Sequence, residues 1–226
     1  MDVNLLDGGW YADDPHRVWD WMRRESPVHY DEVADVWGIA RYDDVLAIEK
    51  DPKTFSSKRA PRPHGTPLPM MISMDDPDHQ RRRSLVNRGF TPRRIGELED
   101  TVAALCRRIV DRVIDAGACD AVWDIAAPLP LLVIAELLGF EEEHYDDLLR
   151  WSDDMIRATT LDPPPGVADA GLRAMLGFRE LQLGVIAARR AEPRDDLISI
   201  LCAAEIDGDR LDDESIVQET LLLLIG

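Results

Sequence analysis

The chain is poor in cysteine, in aromatic side chains and in long apolar runs. Its three cysteines have no paired spacing, which argues against a disulfide framework and favours reduced thiols in the cytoplasm. No run approaches the roughly 20 apolar residues of a membrane helix, and the N-terminus lacks the basic and apolar regions of a signal peptide. We therefore expect a cytoplasmic protein without a transmembrane segment.

Positive charge is also scarce. The 226 residues include 26 lysines and arginines against 44 aspartates and glutamates, for a formal net charge of −18. Such a chain repels polyphosphate, whereas nucleic-acid-binding domains usually carry a basic surface. We therefore exclude nucleic acid as a partner. The hydrophobic content of 45% is sufficient for a substantial core.

Hydrophobic patterns predict a mainly helical protein with a small β portion near the N-terminus. Residues 28–30 and 36–40 are β-branched and aromatic and predict an antiparallel hairpin. We divide the single domain into a β-containing part (about 1–60), a proline-rich loop (61–75) and a helical part (76–226). Helices are expected over residues 15–24, 42–49, 77–90, 95–113, 128–138, 141–158, 169–191, 195–204 and from 212 onward.

One segment of the helical part combines a helix start with two cationic donors. Asp76 suits an N-cap and Pro77 the first helical position. His79 and Arg83 stand four residues apart, so a helix places them one above the other on one face. Two such donors suit a bound anion such as a carboxylate or phosphate.

Other interpretations of this segment stay open. Its arginines also suit a solvated surface helix, and Arg81, Arg82 or Arg88 also suit a docking patch for an acidic protein. Met71 and Ile72, which follow the prolines, either line an apolar cavity or fill the core. No second histidine or cysteine stands near His144 at ligand spacing, so we expect no metal site there.

Two stretches resemble the C-helix signature of bacterial cytochrome P450, the family of haem-thiolate monooxygenases. They are Asp-Pro-Asp-His-Gln-Arg-Arg-Arg at residues 76–83 and Arg-Gly-Phe-Thr-Pro at residues 88–92. The matching histidine and arginine of that family contact a haem propionate. The resemblance thus implies haem b held by His79 and Arg83, with Phe90 packing at the haem edge.

Residues 222–226, Leu-Leu-Leu-Ile-Gly, resemble the segment that leads into the long central helix of the same family. The resemblance implies that Leu222 and Gly226 join Met71 and Ile72 in a substrate pocket. It covers all 226 residues but only about the first half of such an enzyme. We therefore expect a cytochrome P450 fold truncated at the start of that helix, with the haem-ligand cysteine beyond residue 226. No catalytic residue and no metal ligand is assigned within the chain, and Cys106 is predicted to be core.

Within the family, residues 68–77 and 150–154 look closest to the actinobacterial steroid C26-monooxygenases. This implies hydroxylation of the terminal methyl of cholesterol or cholest-4-en-3-one, with O2 and with electrons from a ferredoxin and its reductase. One alternative is a monooxygenase of the same family that acts on another hydrophobic substrate. The other is a non-catalytic helical module that binds a small apolar ligand.

Overall fold

The computed structural model describes residues 3–160, 163–206 and 208–225. Their contacts form two compact units. The first unit contains the residues up to Leu68 together with Ile72–Pro77, and the second contains Pro69–Met71 and the residues from Asp78 onward. The division of the chain into one domain of three parts stays a prediction.

The first unit contains three helices and the predicted hairpin. Its elements are α1 (Gly8–Asp13), α2 (Pro15–Glu25), β1 (Val28–Asp31), β2 (Val36–Ile39) and α3 (Tyr42–Glu49). The strands pair in antiparallel register, with Val28 opposite Ile39 and Asp31 opposite Val36. The hairpin prediction is therefore confirmed.

A small core and one buried carboxylate stabilise this unit. Val18 and Met22 lie four residues apart on α2 and pack with Val3. Asp31, at the end of β1, accepts the Leu5 N–H at 2.7 Å and the N–H groups of the hairpin turn. These hydrogen bonds hold the pKa of its carboxyl below the ordinary value. The Asp31 side chain therefore stabilises both the hairpin turn and the segment before α1.

The described residues of the second unit form helices and a two-stranded hairpin. Its elements are α4 (Asp78–Asn87), α5 (Pro92–Glu97), α6 (Glu99–Ile114), a π-helical turn (Ala121–Ala126), α7 (Pro128–Leu138), α8 (Tyr145–Ala158), α9 (Val167–Ala191), α10 (Leu197–Ala203), β3 (Glu205–Ile206), β4 (Asp209–Arg210) and α11 (Asp213–Ile225). A short 3-10 turn, Glu142–His144, precedes α8.

The core of this unit lies among α7 to α11. Leu138, Leu148 and Phe178 are fully buried there. The helices α8 and α9 pack closely because α9 presents glycines: a Cβ on Gly177 would lie 2.7 Å from the Trp151 ring of α8. The mainly helical fold is thus the one that the hydrophobic pattern predicts.

A buried ion pair joins the ends of three helices in this core. Arg189 of α9 contacts the carboxylate of Asp196 and donates to the carbonyl of Gly139 at 2.8 Å. Asp196 also caps α10 by accepting the Ser199 N–H at 2.7 Å. Gly139 ends α7 with a φ of +86°, a conformation that favours glycine. Each charge of the pair therefore has further partners, as a buried pair requires.

Several helix boundaries differ from the prediction. The helix α4 begins at Asp78, one residue after the predicted first helical position Pro77, and the N-cap role of Asp76 stays a prediction. The helix expected over residues 95–113 is two helices that meet at Leu98. The expected break around residue 161 and the turn at residue 207 lie partly outside the described residues.

One stretch is apolar enough to resemble a membrane helix. Among the described residues, Ala121–Leu138 has 18 residues with a mean hydropathy of 1.8, which meets the length and composition of a membrane-crossing helix. The sequence analysis did not anticipate it. The stretch consists of the π-helical turn and α7, and six residues of α7 are buried in the core. Core packing thus accounts for the apolar composition of α7.

Candidate functional site

The helix α4 contains the two predicted anion donors, His79 and Arg83. Its last turn is anchored in the core by Leu85 and Val86, which are 3% and 2% exposed. Nearer its start, His79 is half-buried, and Arg83, one turn after His79, is exposed. Among the residues that the structure describes, none forms a hydrogen bond or an ion pair with Arg83. The guanidinium is therefore available for an anion from outside these residues.

Phe90 follows α4 at a tightly packed corner. It is half-buried and packs against the core of the second unit. The preceding Gly89 lies so close to Leu197 that a Cβ at this position would collide with the leucine side chain. Thr91 then caps α5, accepting the Arg94 N–H at 3.4 Å. The backbone on both sides of Phe90 is thus fixed, and its role at the haem edge stays a prediction.

Two of the predicted pocket residues, Met71 and Leu222, lie near Glu219 of α11. The Met71 N–H donates to both carboxylate oxygens of Glu219, at 3.0 and 3.3 Å. Leu222 lies three residues after Glu219, on the same helix face, and packs on the same core as Met71. Ile72 is 42% exposed and belongs to the first unit, and Gly226 lies outside the described residues. The pocket roles of all four residues stay predictions.

Glu219 itself was missed by the sequence reasoning. Its side chain is fully buried, and its second partner is Arg82, whose Nη1 lies 3.3 Å from Oε1. Burial raises the pKa of Glu219 to about 7, and Arg82 and the Met71 N–H oppose this rise. The signal in the sequence was a single acidic residue between Ile216 and Leu221, a helical segment in which most positions are buried in the structure.

Two arginines considered for docking an acidic protein have internal partners. Arg82 binds Glu219 and is 21% exposed at its side chain. Arg88 donates from Nη2 to the carbonyl of Glu205 at 3.0 Å and so holds the β3–β4 hairpin against the end of α4. Both side chains therefore stabilise the second unit.

The three cysteines differ in their surroundings. Cys202 is buried, Cys106 is half-buried and Cys119 is exposed. Burial raises the pKa of the Cys202 thiol, so its thiolate is disfavoured at neutral pH. Within the described part of the chain, no three histidine, cysteine, aspartate or glutamate side chains lie together as a metal site. The iron-ligand cysteine beyond residue 226 stays a prediction.

Comparisons with known proteins agree with this architecture. The steroid C26-monooxygenase of Mycobacterium tuberculosis is 43% identical over 226 residues, which are 100% of this chain and 56% of that protein. The open cytochrome P450 EryK of S. erythraea has a TM-score of 0.79 at 34% identity, over 94% of this chain and 55% of that one. The chain has the cytochrome P450 fold. Substrate-free CYP109E1 of Bacillus megaterium reaches a TM-score of 0.84 at 30% identity, over 94% of this chain and 57% of that one.

The resemblance to cytochrome P450 and the predicted fold class are therefore confirmed. No family model matches the chain. The chain spans about half the length of the curated relatives it matches, 56% for the steroid C26-monooxygenase. CYP109E1 has also been crystallised in complex with testosterone, and that structure has a TM-score of 0.82 at 29% identity, over 94% of this chain and 54% of that one.

Proposed function

We propose that this chain is part of a haem-thiolate monooxygenase that hydroxylates a steroid side chain, at the terminal methyl of cholesterol or cholest-4-en-3-one. Its similarity to a protein named steroid C26-monooxygenase supports the reaction, and the testosterone complex of CYP109E1 supports a steroid substrate. The observation that carries the proposal is the exposed Arg83 beside His79 on α4. This pair supplies the donors that a haem propionate requires in this fold.

The residues present fit haem b at its carboxylate side. Arg83 carries a planar fork of N–H donors that matches a carboxylate in a bidentate way. His79 adds a donor one turn earlier on the same face. Together they would hold a propionate, offset its charge and fix the tilt of the porphyrin, while Phe90 packs at its edge. Haem supplies the oxidising chemistry when bound, with a thiolate ligand from beyond residue 226.

The substrate side of the site is apolar. Leu222 lies on α11 and packs on the same core as Met71, and a methionine adapts its shape to an apolar ligand. Burying a rigid steroid there stabilises the complex by about 25 cal/mol for each Å² of apolar surface removed from water. The walls of the pocket would exclude water and bring the side-chain methyl of the steroid to the haem.

Electrons would come from a ferredoxin and its reductase, in the cytoplasm. A ferredoxin-type protein is acidic, and the exposed Arg81 suits its docking. The second candidate function is that of a monooxygenase of the same family with another hydrophobic substrate. It is favoured because an apolar pocket discriminates weakly between substrates of similar shape.

Absorption spectroscopy of the protein expressed from its complete reading frame tests this proposal. We expect a Soret band, a ferrous carbon-monoxide spectrum with the red shift of a thiolate ligand, and a spectral change on adding cholest-4-en-3-one. With a ferredoxin, its reductase and O2, the product should be the terminal alcohol. A non-catalytic binder would show no Soret band. Steroid-independent spectra with a normal haem would instead favour another substrate.

A further inference from the structure

Glu219 joins three segments that are far apart in sequence. Its carboxylate lies on α11 and accepts the backbone N–H of Met71, 148 residues away, with both oxygens. It also accepts from the guanidinium of Arg82, 137 residues away, on α4. The side chain is 0% exposed, and a buried carboxylate is costly unless such partners stay in place. The three segments are therefore held at fixed positions around one buried group.

The contact with Arg82 determines where α4 presents its anion donors. Arg82 and Arg83 are neighbours on one rigid helix, and His79 lies three residues before Arg82. The end of α4 is already anchored by Leu85 and Val86 in the core. A second anchor at Arg82 fixes the rotation of the helix about its axis, so it fixes the direction in which Arg83 leaves the helix.

The hydrogen bond from the Met71 N–H connects the same carboxylate to the proposed substrate pocket. Met71 is held by its backbone N–H, and this fixes the point from which its side chain packs on the core. Leu222 lies one turn after Glu219 on the same face of α11. Movement of Glu219 would thus displace the donors of α4 and the wall of the pocket together.

We propose that Glu219 is a positioning residue that, through Arg82 and Met71, aligns the haem-propionate donors of α4 with the substrate pocket. The inference rests on the proposed function, because the donors and the pocket are those assigned there. Glu219 does not contact haem or substrate; it acts through residues that do. Its removal should therefore weaken haem binding only while Arg83 is present to be positioned.

The first test is hydrogen exchange in the protein expressed from its complete reading frame, without haem. In Glu219→Ala the Met71 amide loses its acceptor, and we expect it and the amides of residues 82–85 in α4 to exchange about 10-fold faster or more. Glu219→Gln keeps the shape of the side chain and should give a smaller increase, which covers the case in which the alanine variant does not fold. Glu214→Gln is the control, because Glu214 lies on the same helix in an exposed pair with Arg179.

The second test is a double-mutant cycle on the rate of haem loss to an excess of apomyoglobin. Glu219→Gln should speed haem loss about 10-fold in the wild-type background and less than about 2-fold in the Arg83→Ala background, because outer partners act through the ligand they orient. A purely structural role would give equal factors in both backgrounds. Equal factors, or unchanged exchange at Met71 in both Glu219 variants, would overturn the inference. If the wild type binds no haem, the proposed function fails, and the exchange data alone decide whether Glu219 holds Met71 and α4.

Discussion

Replacing Glu219 by glutamine should change how stability depends on pH. Burial raises the pKa of this carboxyl from 4.5 to about 7 in the folded protein. Between these values the folded protein holds a proton that the unfolded chain has released. The free energy of unfolding contributed by Glu219 therefore falls as pH rises through this window, and the full cost of the buried charge is present above about pH 7.

The size of the effect follows from the same two values. At 1.36 kcal/mol for each pKa unit, the contribution amounts to up to about 3 kcal/mol between pH 4.5 and pH 8. Glutamine carries no proton that titrates here, so Glu219→Gln lacks this dependence. The free energy of unfolding of the variant minus that of the wild type should rise by up to about 3 kcal/mol from pH 4.5 to pH 8.

Urea unfolding of both proteins at several pH values measures this difference, and all other titrating groups cancel in it. Glu214→Gln is the control, because Glu214 is exposed and its variant should differ from the wild type by a nearly constant amount. A difference for Glu219→Gln that stays flat across the window would refute the reasoning. So would a difference that falls with pH, since it would mean that the folded state favours the charged carboxyl.

Two further predictions concern the core and use urea or thermal unfolding. Phe178→Ala should lower the free energy of unfolding by about 3–5 kcal/mol, whereas Leu176→Ala, on the exposed side of the same helix, should change it by about 0.5 kcal/mol or less; similar losses for both would contradict the assigned burial. Gly139→Ala should cost about 3 kcal/mol or more, because its Cβ would collide with Asp196 and displace a buried ion pair. Gly184→Ala, with open space around the new Cβ, should be neutral or stabilise by up to about 1 kcal/mol, and a loss as large as that of Gly139→Ala would contradict the collision as the cause.

Elements whose signals are local could be predicted from the sequence. The bounds of α3 follow from its apolar pattern and the proline after it, and those of α7 follow from Pro128 at its start and Gly139 at its end. The hairpin follows from two β-branched runs. In each case a short stretch contains both the pattern and its stop signal, so tertiary contacts are not needed to locate the element.

Other features were beyond sequence patterns for physical reasons. The apolar repeat runs from Ile95 to Val102 without interruption, so it does not reveal the break at Leu98. The start of α4 at Asp78 differs by one residue from the predicted start at Pro77, and residue types alone do not locate a helix end more closely than that. The contact of Glu219 with Met71 joins residues 148 positions apart, and no local pattern predicts it.

The candidate site was predictable to the extent that one helix defines it. Four-residue spacing places His79 and Arg83 together, because helix geometry alone does so. This spacing does not indicate the role of Arg82. Its neighbours in sequence are also arginines, and only the structure shows that its partner is the buried Glu219. Which of three adjacent arginines points inward is decided by packing against α11, and this requires the folded structure.

Haem loss from Arg83→Ala tests the central claim most directly. The variant and the wild type, each expressed from the complete reading frame, are mixed with an excess of apomyoglobin, and the transfer of haem is followed by absorption. A hydrogen bond to a charged group contributes about 1.5–3 kcal/mol, so we expect haem loss about 10-fold to 100-fold faster than in the wild type. Arg112→Ala, at an exposed arginine of α6, should leave the rate unchanged. A rate in Arg83→Ala equal to that of the wild type would contradict the assignment of α4 as the helix that holds the haem propionate.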